Sequence, residues 1–337
     1  MNSHDYELNP ALLIRMLAPT VIGLAGLITF IHVGLMLDVL PDRRPPMNGD
    51  QFISHQRDEF TRSDDPAEVL IIGDSSALMG VDAVALGEWL PSRPRVYNLG
   101  LFLGLPLDVY GEIAGDFIAR HPGQVKAVVL LTTSWRLTDA LPVDVRLQYW
   151  RKLRARPDQP ASPAAPLHDR LLAISESTER FINRGLPFVA HQKIGAPYGG
   201  QLSAAKRLDQ FNGSLVSTGT FNRTGRETVT WDMDEAARDG GAAIRSGMPR
   251  DVNLIFGVMP MPETIGQADS AVGRETLMRA FDQSLHADEL LSRLPVTMPD
   301  GFFSDRVHLN AGGQERFTRL LADALAKLPI FAEEKKP

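Results

Sequence analysis

Val69-Leu70-Ile71-Ile72-Gly73-Asp74-Ser75-Ser76 is the stretch from which the rest of the chain is read. Four aliphatic residues in succession, with no polar residue between them, suit a strand covered on both faces. Gly73 ends the run, and Asp-Ser-Ser supplies side chains that accept from the open amides of a helix start, so a strand-turn-helix is predicted. KAVVLL at 126–131 and VNLIFGV at 252–258 repeat the apolar pattern, and RVYNL at 95–99 is a weaker fourth example. Amphipathic stretches at 108–120, 275–294 and 313–328 lie between or after these runs. Strand and helix alternate, which predicts an α/β fold around an open parallel sheet. Asn310 stands where it would cap the last helix. Open sheets of this kind bind ligands at the carboxyl ends of their strands, and Ser75 falls at such an end. The same residues would also serve as an ordinary helix cap, so the motif needs support from elsewhere in the chain.

Composition narrows the function classes. A charge of -6, from 35 Lys+Arg against 41 Asp+Glu, gives no broad attraction to a phosphate backbone, so nucleic acid is not an expected partner. The absence of cysteine removes thiol nucleophiles, disulfides and thiolate zinc sites. None of the eight histidines falls in H-x-H or H-E-x-x-H, so no metal is predicted. No P-loop, no G-x-G-x-x-G after a strand and no G-x-S-x-G elbow occurs, and no cofactor is expected.

Residues 16–37 contain no Asp, Glu, Lys or Arg, and His32 is their one strongly polar member. At ~1.5 Å per residue such a run crosses a ~30 Å hydrocarbon core, which predicts a single uncleaved transmembrane helix. A cleavable signal would have a shorter apolar stretch and a small-x-small site. Arg15 precedes the span and Arg43, Arg44, Arg57 and Arg62 follow it, a count that on its own mildly favours a cytoplasmic C-terminal part. The organisation read from the sequence is therefore a tail and anchor at 1–40, a proline-rich linker at 41–63, and an α/β domain at 64–330. Within that domain the alternation fails at about 151–250. Residues 157–166 are rich in Pro and Ala and 198–230 in Gly, Ser, Thr and Asn, so an insertion with small elements of its own is expected there. Trp231-Asp232-Met233-Asp234-Glu235 reads as a solvated turn, with cation or sugar binding as the alternative, and Met259-Pro260-Met261-Pro262 as a rigid loop at the site's edge.

The second chemical element is Ser304-Asp305-Arg306-Val307-His308-Leu309-Asn310, just before the last predicted helix. A serine hydroxyl attacks a carbonyl only once a base takes its proton, and the base needs a carboxylate to hold its tautomer. Asp305 and His308 provide both, and with Ser75 they run in the chain order Ser, Asp, His.

With these residues in place, the chain resembles the SGNH/GDSL hydrolase superfamily. The strand-G-D-S at 71–75 is similar to that family's first block, and D-R-V-H-L-N at 305–310 to its last. The likeness covers roughly 66–135 and 250–328. It implies a doubly wound, flavodoxin-like parallel sheet, with Ser75 as nucleophile, His308 as general base and Asp305 as its orienting partner. It also implies an oxyanion hole built from the Ser75 amide, a glycine amide of a second block and an asparagine of a third. N-L-G-L-F-L-G at 98–104 resembles the second block and offers Gly104 or Gly100, with Gly104 preferred. The third block, Gly-x-Asn-Asp, is absent. Thr132-Thr133-Ser134-Trp135 stands after the strand instead, leaving Thr133, Ser134 or a backbone amide as possible replacements.

That departure, the N-terminal anchor and N-L-G-L are similar to the membrane-anchored branch of the superfamily, which includes the D-alanyl transfer protein of teichoic acid synthesis and the alginate-type exopolysaccharide O-acetyltransferases. The branch implies acyl transfer, acetyl foremost, to a cell-envelope or secreted polysaccharide on the outer face of the cytoplasmic membrane. Its expected partners are an acylated or acyl-accepting glycan and a multi-span membrane acyltransferase as donor. Hydrolysis and transfer share one chemistry and stay open. A non-catalytic glycan-binding or assembly subunit is the alternative.

Overall fold

The computed structural model describes residues 10–36, 67–101, 105–138, 213–217, 220–221, 231–265 and 270–332. The chain divides into two compact units: Met1–Pro45 with Pro157–Lys193, and Pro46–Arg156 with Ile194–Pro337. In the first unit the described element is α1 (Pro10–Met36), a helix of 27 residues with Pro19 inside it. Leu13, Ile14, Met16, Leu17, Val21, Ile22, Leu24, Leu27 and Phe30 all expose large apolar side chains there. Among the described residues, no helix is long and apolar enough to cross a membrane.

The second unit is a three-layer α/β structure. Its elements in order are β1 (Val69–Gly73), α2 (Ser75–Gly80), α3 (Ala83–Trp89), β2 (Val96–Gly100), α4 (Leu107–Arg120), β3 (Ala127–Thr132), α5 (Ser134–Thr138), α6 (Glu235–Ser246), β4 (Asn253–Val258), β5 (Met261–Pro262), α7 (Ser270–Leu285), β6 (Glu289–Leu290), β7 (Thr297–Met298) and α8 (Ala311–Leu325). Five strands form one sheet in the order β2-β1-β3-β4-β6, and every pairing is parallel. β5 and β7 form a separate two-stranded parallel ribbon, so the Met-Pro-Met-Pro loop is half strand.

Why the strands read as unbroken apolar runs is plain from their two faces. Leu70, Ile72, Val128, Leu130, Leu254 and Phe256 face one core, with Tyr110 and Phe117 of α4, Ile244 of α6 and Leu277 and Phe281 of α7. Val69, Ile71, Ala127, Val129, Leu131 and Ile255 face the other, with Ala77 of α2, Leu86 of α3 and Phe317, Leu321 and Leu325 of α8. β1, β3 and β4 thus bury residues of both parities, as a sheet with helices on both sides requires. The order turns from one direction to the other between β1 and β3, and it is there that an open parallel sheet leaves a crevice for ligands.

Three sequence expectations change. The helix expected at 275–294 is α7, which ends at Leu285, and the chain then adds the edge strand β6. Glu289-Leu290 is too short to carry any apolar pattern. The span expected as insertion, 151–250, contains α6, which packs against α4 and α7 as the helix leading into β4. Its core stripe is Ala237, Gly240, Gly241 and Ile244, a helical spacing written in small residues, so its hydrophobic signal is faint. Trp231-Asp232-Met233-Asp234 is its lead-in rather than a free turn: Asp234 caps α6 by accepting from the Ala236 amide at 2.7 Å, and Trp231 packs against the core. The linker at 41–63, the start at residue 64 and most of the expected insertion lie outside the described residues.

Candidate active site

The site grows from the end of β1. Gly73 has φ +149°, and a Cβ there would lie 1.7 Å from the carbonyl oxygen of Leu131, so only glycine allows β1 to turn this tightly beside β3. Asp74 is the N-cap of α2. Of the first-turn amides, Ser76 donates to Asp74 Oδ1 at 2.9 Å, and Ala77 and Leu78 both donate to the Asp74 carbonyl at 3.1 Å. Among the described residues this leaves the Ser75 N–H as the one first-turn amide of α2 without an acceptor, at a helix start, where an anion is favoured.

Asp74 does more than cap. Its carboxylate is buried, and it also accepts from the Ser76 hydroxyl, from Thr132 Oγ1 at 3.0 Å, from the Thr133 amide at 3.1 Å and from Thr133 Oγ1 at 3.2 Å. One carboxylate therefore ties the start of α2 to the end of β3 across the point where the strand order reverses. Sequence reading took Asp74 as a capping residue and missed this second attachment, because the partners lie 58 and 59 positions away.

The other half of the site is the turn between the 3-10 helix Asp300–Phe302 and α8. Phe303 and Leu309 bridge antiparallel, and the Ser304 amide donates to the His308 carbonyl at 2.9 Å. Inside the turn, Asp305 Oδ1 accepts from the amides of Val307 and His308, both at 2.9 Å. Asn310 closes it by capping α8, as expected, accepting from the Gly313 amide at 3.0 Å. With its backbone held in this way, Asp305 Oδ2 sits 2.7 Å from His308 Nδ1, and His308 Nε2 sits 2.8 Å from Ser75 Oγ. Burial pushes the Asp305 carboxyl up, but the hydrogen bond and charge of His308 and the two turn amides outweigh it and hold the group below its ordinary value. An ionised Asp305 takes the Nδ1 proton as its hydrogen-bond partner, which leaves Nε2 as the acceptor for the Ser75 hydroxyl. The three residues named from sequence are brought into one hydrogen-bonded chain across 233 positions.

The expected oxyanion donors fare unevenly. The Ser75 amide is left open, as above. Gly100 is not available: its N–H donates to Asn98 Oδ1 at 2.9 Å, and Asn98 Nδ2 in turn donates to the carbonyls of Ala77, Leu78 and Val81. That asparagine holds the far end of α2, and Gly100 holds the asparagine. Thr133 is likewise committed, through both its amide and its hydroxyl, to Asp74. Gly104 lies outside the described residues. Ser134 is buried at the start of α5 beside Thr133, Met259 and Arg306. The guanidinium of Arg306 lies 4.9 Å from the ring centre of Trp135, forming a cation–π wall next to His308 that the sequence did not announce. Among the described residues, no group of three His, Asp or Glu is arranged to hold a metal ion.

The chain matches no protein-family model and no curated protein sequence. Among solved structures it is similar to a protein of Streptococcus pneumonia described provisionally as a platelet activating factor. The two are 12% identical over 87% of this chain and 95% of that one, with a TM-score of 0.35. A likeness at that level carries no argument about function, which rests on the geometry of the site.

Proposed function

We propose that this protein is a serine esterase or O-acyltransferase that works through an acyl-serine intermediate. The observation that carries the reading is the unbroken chain from Ser75 Oγ to His308 Nε2 and from His308 Nδ1 to Asp305 Oδ2. In the reaction, His308 accepts the Ser75 proton as Oγ attacks the acyl carbonyl, and returns it to the departing alcohol as the C–O bond breaks. Water or a sugar hydroxyl then gives its proton to His308 and takes the acyl group, and His308 returns that proton to Ser75 Oγ as the acyl–serine bond breaks. The Ser75 amide stabilises the oxyanion in both halves.

The substrate we assign is an acyl group, acetyl first, on a cell-envelope or secreted polysaccharide. The charge-free run at 16–37 serves in this reading as a single-pass anchor, with the α/β unit on the outer face of the cytoplasmic membrane. The resemblance of the G-D-S, N-L-G-L and D-x-x-H blocks supports this assignment, as does a helix of 27 residues that exposes its apolar side chains. The single-span charge count points the other way and is the weaker argument, since it turns on a few arginines. A multi-span acyltransferase fits as the donor.

One observation favours a second reading. With Thr133 committed to Asp74 and no third-block asparagine, the oxyanion donor worth ~2.7–4 kcal/mol in related chemistry is left to the buried Ser134, and a site without that donor suits a glycan-binding or assembly subunit that keeps the fold without turnover. The full chain in detergent, given a small acetyl ester with and without acceptor oligosaccharide, separates the readings. The esterase or transferase releases alcohol at a rate that Ser75→Ala abolishes, and acetylated oligosaccharide marks transfer. A folded protein with no serine-dependent release under either condition supports the binding subunit. Protease protection in intact cells that placed residue 337 in the cytoplasm would remove the envelope assignment.

A further inference from the structure

We propose that Ser217 is a positioning residue for His308, acting through Ser304, and that residues 213–217 with Phe221 form a strap tying the nucleophile helix to the triad turn. The kinetic part of this proposal rests on the acyl-serine reading.

The strap belongs to the span between α5 and α6 and contacts both the nucleophile helix and the triad turn. Gly213 has φ +84°, and a Cβ there would come within 2.1 Å of the Asn98 carbonyl oxygen, so glycine lets the backbone press onto the middle of β2. Ser214 Oγ accepts from the Ala83 amide at 2.9 Å, and the Leu215 amide donates to the Leu78 carbonyl at 3.1 Å, so the strap grips α2 and α3. Gln314 of α8 donates to the Leu215 carbonyl at 2.6 Å and to the Met79 carbonyl at 3.0 Å, clamping strap and nucleophile helix together. On the other side Ser217 bridges Asn310 and the Phe221 amide donates to the Phe303 carbonyl at 3.0 Å, so the strap brackets the turn that carries Asp305 and His308.

Within that bracket, proton accounting gives a direction. Ser304 Oγ donates to the His308 carbonyl at 3.1 Å and has one proton to give. The hydrogen bond between the Ser217 and Ser304 hydroxyls must then run from Ser217 to Ser304. Ser217 thereby selects the Ser304 rotamer whose proton reaches the His308 carbonyl, which also accepts from the Ser304 amide. The peptide plane of His308 is pinned by two donors, and with it the direction in which the imidazole leaves the backbone to reach Ser75. Ser217 is 1% exposed, so no water replaces its hydroxyl when it is removed.

The test uses the full chain. Ser217→Ala and Ser304→Ala are each expected to lower kcat for a small acetyl ester about tenfold with KM unchanged, and the double variant to fall no further than the worse single one, because both act on one relay. In parallel, histidine-selective 15N NMR of the resting protein follows the His308 Nδ1–H resonance, which is expected to move or broaden in both variants while the melting profile stays cooperative. This arm needs no substrate: a wild-type chain without turnover would sink the acyl-serine reading and leave the positioning claim to be decided by the resonance. Wild-type kcat and an unmoved resonance in Ser217→Ala overturn the proposal, as do losses that simply multiply in the double variant. If Ser217→Ala does not fold, Ser304→Ala at its less buried position decides alone, and a wild-type kcat and resonance there refute the relay.

Discussion

Replacing Asp74 by asparagine isolates the clasp between α2 and β3 without touching the three reacting side chains. The carboxylate accepts five hydrogen bonds, two of them from backbone amides: Ser76 on Oδ1 and Thr133 on Oδ2. An asparagine keeps one oxygen and sets an NH2 group in the other place. The threonine and serine hydroxyls can rotate to accept from that group, but a backbone N–H cannot. Whichever way the amide is turned, one buried N–H therefore loses its acceptor, at ~1–3 kcal/mol, and the remaining bonds lose their charge assistance. A total of about 2–4 kcal/mol corresponds to a fall in Tm of roughly 4–16 °C at ~2–4 °C per kcal/mol. Differential scanning calorimetry of the two proteins in the same detergent reads the shift. Turnover should fall with it, since the clasp sets the N-terminus of α2 and hence Ser75. A variant melting within ~1 °C of wild type with full turnover would refute the reasoning, because it would mean the five bonds do not hold the strand ends together.

Asp305→Asn is expected to cut kcat by a factor on the order of 10²–10⁴ while leaving the fold intact, as measured by ester turnover beside circular dichroism. Its effect on stability depends on pH in a defined direction. Because the folded Asp305 titrates below its ordinary value, the unfolded chain binds the extra proton first as pH falls, so the wild type loses this contribution on descending through the lowered value. The gap in Tm between wild type and Asp305→Asn should therefore be widest above the ordinary aspartate range and shrink below it; a gap constant down to strongly acidic pH would contradict that sign. Gly73→Ala places a methyl carbon against the Leu131 carbonyl at a backbone angle that L residues avoid, and expression trials should give no soluble folded protein or a loss of several kcal/mol.

The sheet was largely legible because its central strands are covered on both sides: β1, β3 and β4 appear in the sequence as uninterrupted apolar runs bounded by turn residues. β6 was not, because two edge residues held partly by the Asp288 carboxylate carry no pattern of their own. α6 hid for a different reason, its buried stripe being made of alanine and glycine where close helix contact leaves no room for larger side chains. At the site, Ser75, Asp305 and His308 were recognisable because a serine at the end of a buried strand and an Asp-x-x-His before the last helix stand in the chain order Ser, Asp, His and resemble the first and last blocks of a known superfamily. The supporting residues were not. Asp74 reaching Thr132 and Thr133, Ser217 reaching Ser304, and Asn98 taking the Gly100 amide are contacts between distant segments in which ordinary polar residues satisfy buried donors, and no local motif encodes such pairings. The second of the two candidate glycines shows the limit most clearly: Gly100 has the right residue type beside the right motif, yet its amide donates to Asn98.

The central claim is that Ser75 becomes acylated. Full-length protein mixed with an activated acetyl ester, quenched in acid within its first turnovers and examined by intact mass and peptide mapping, tests it directly. The account predicts one acetyl group on the peptide that holds Ser75, absent in Ser75→Ala and formed far more slowly in His308→Ala. Folded protein that releases product at the wild-type rate with Ser75 replaced, or that carries its acetyl group on another residue, would contradict it.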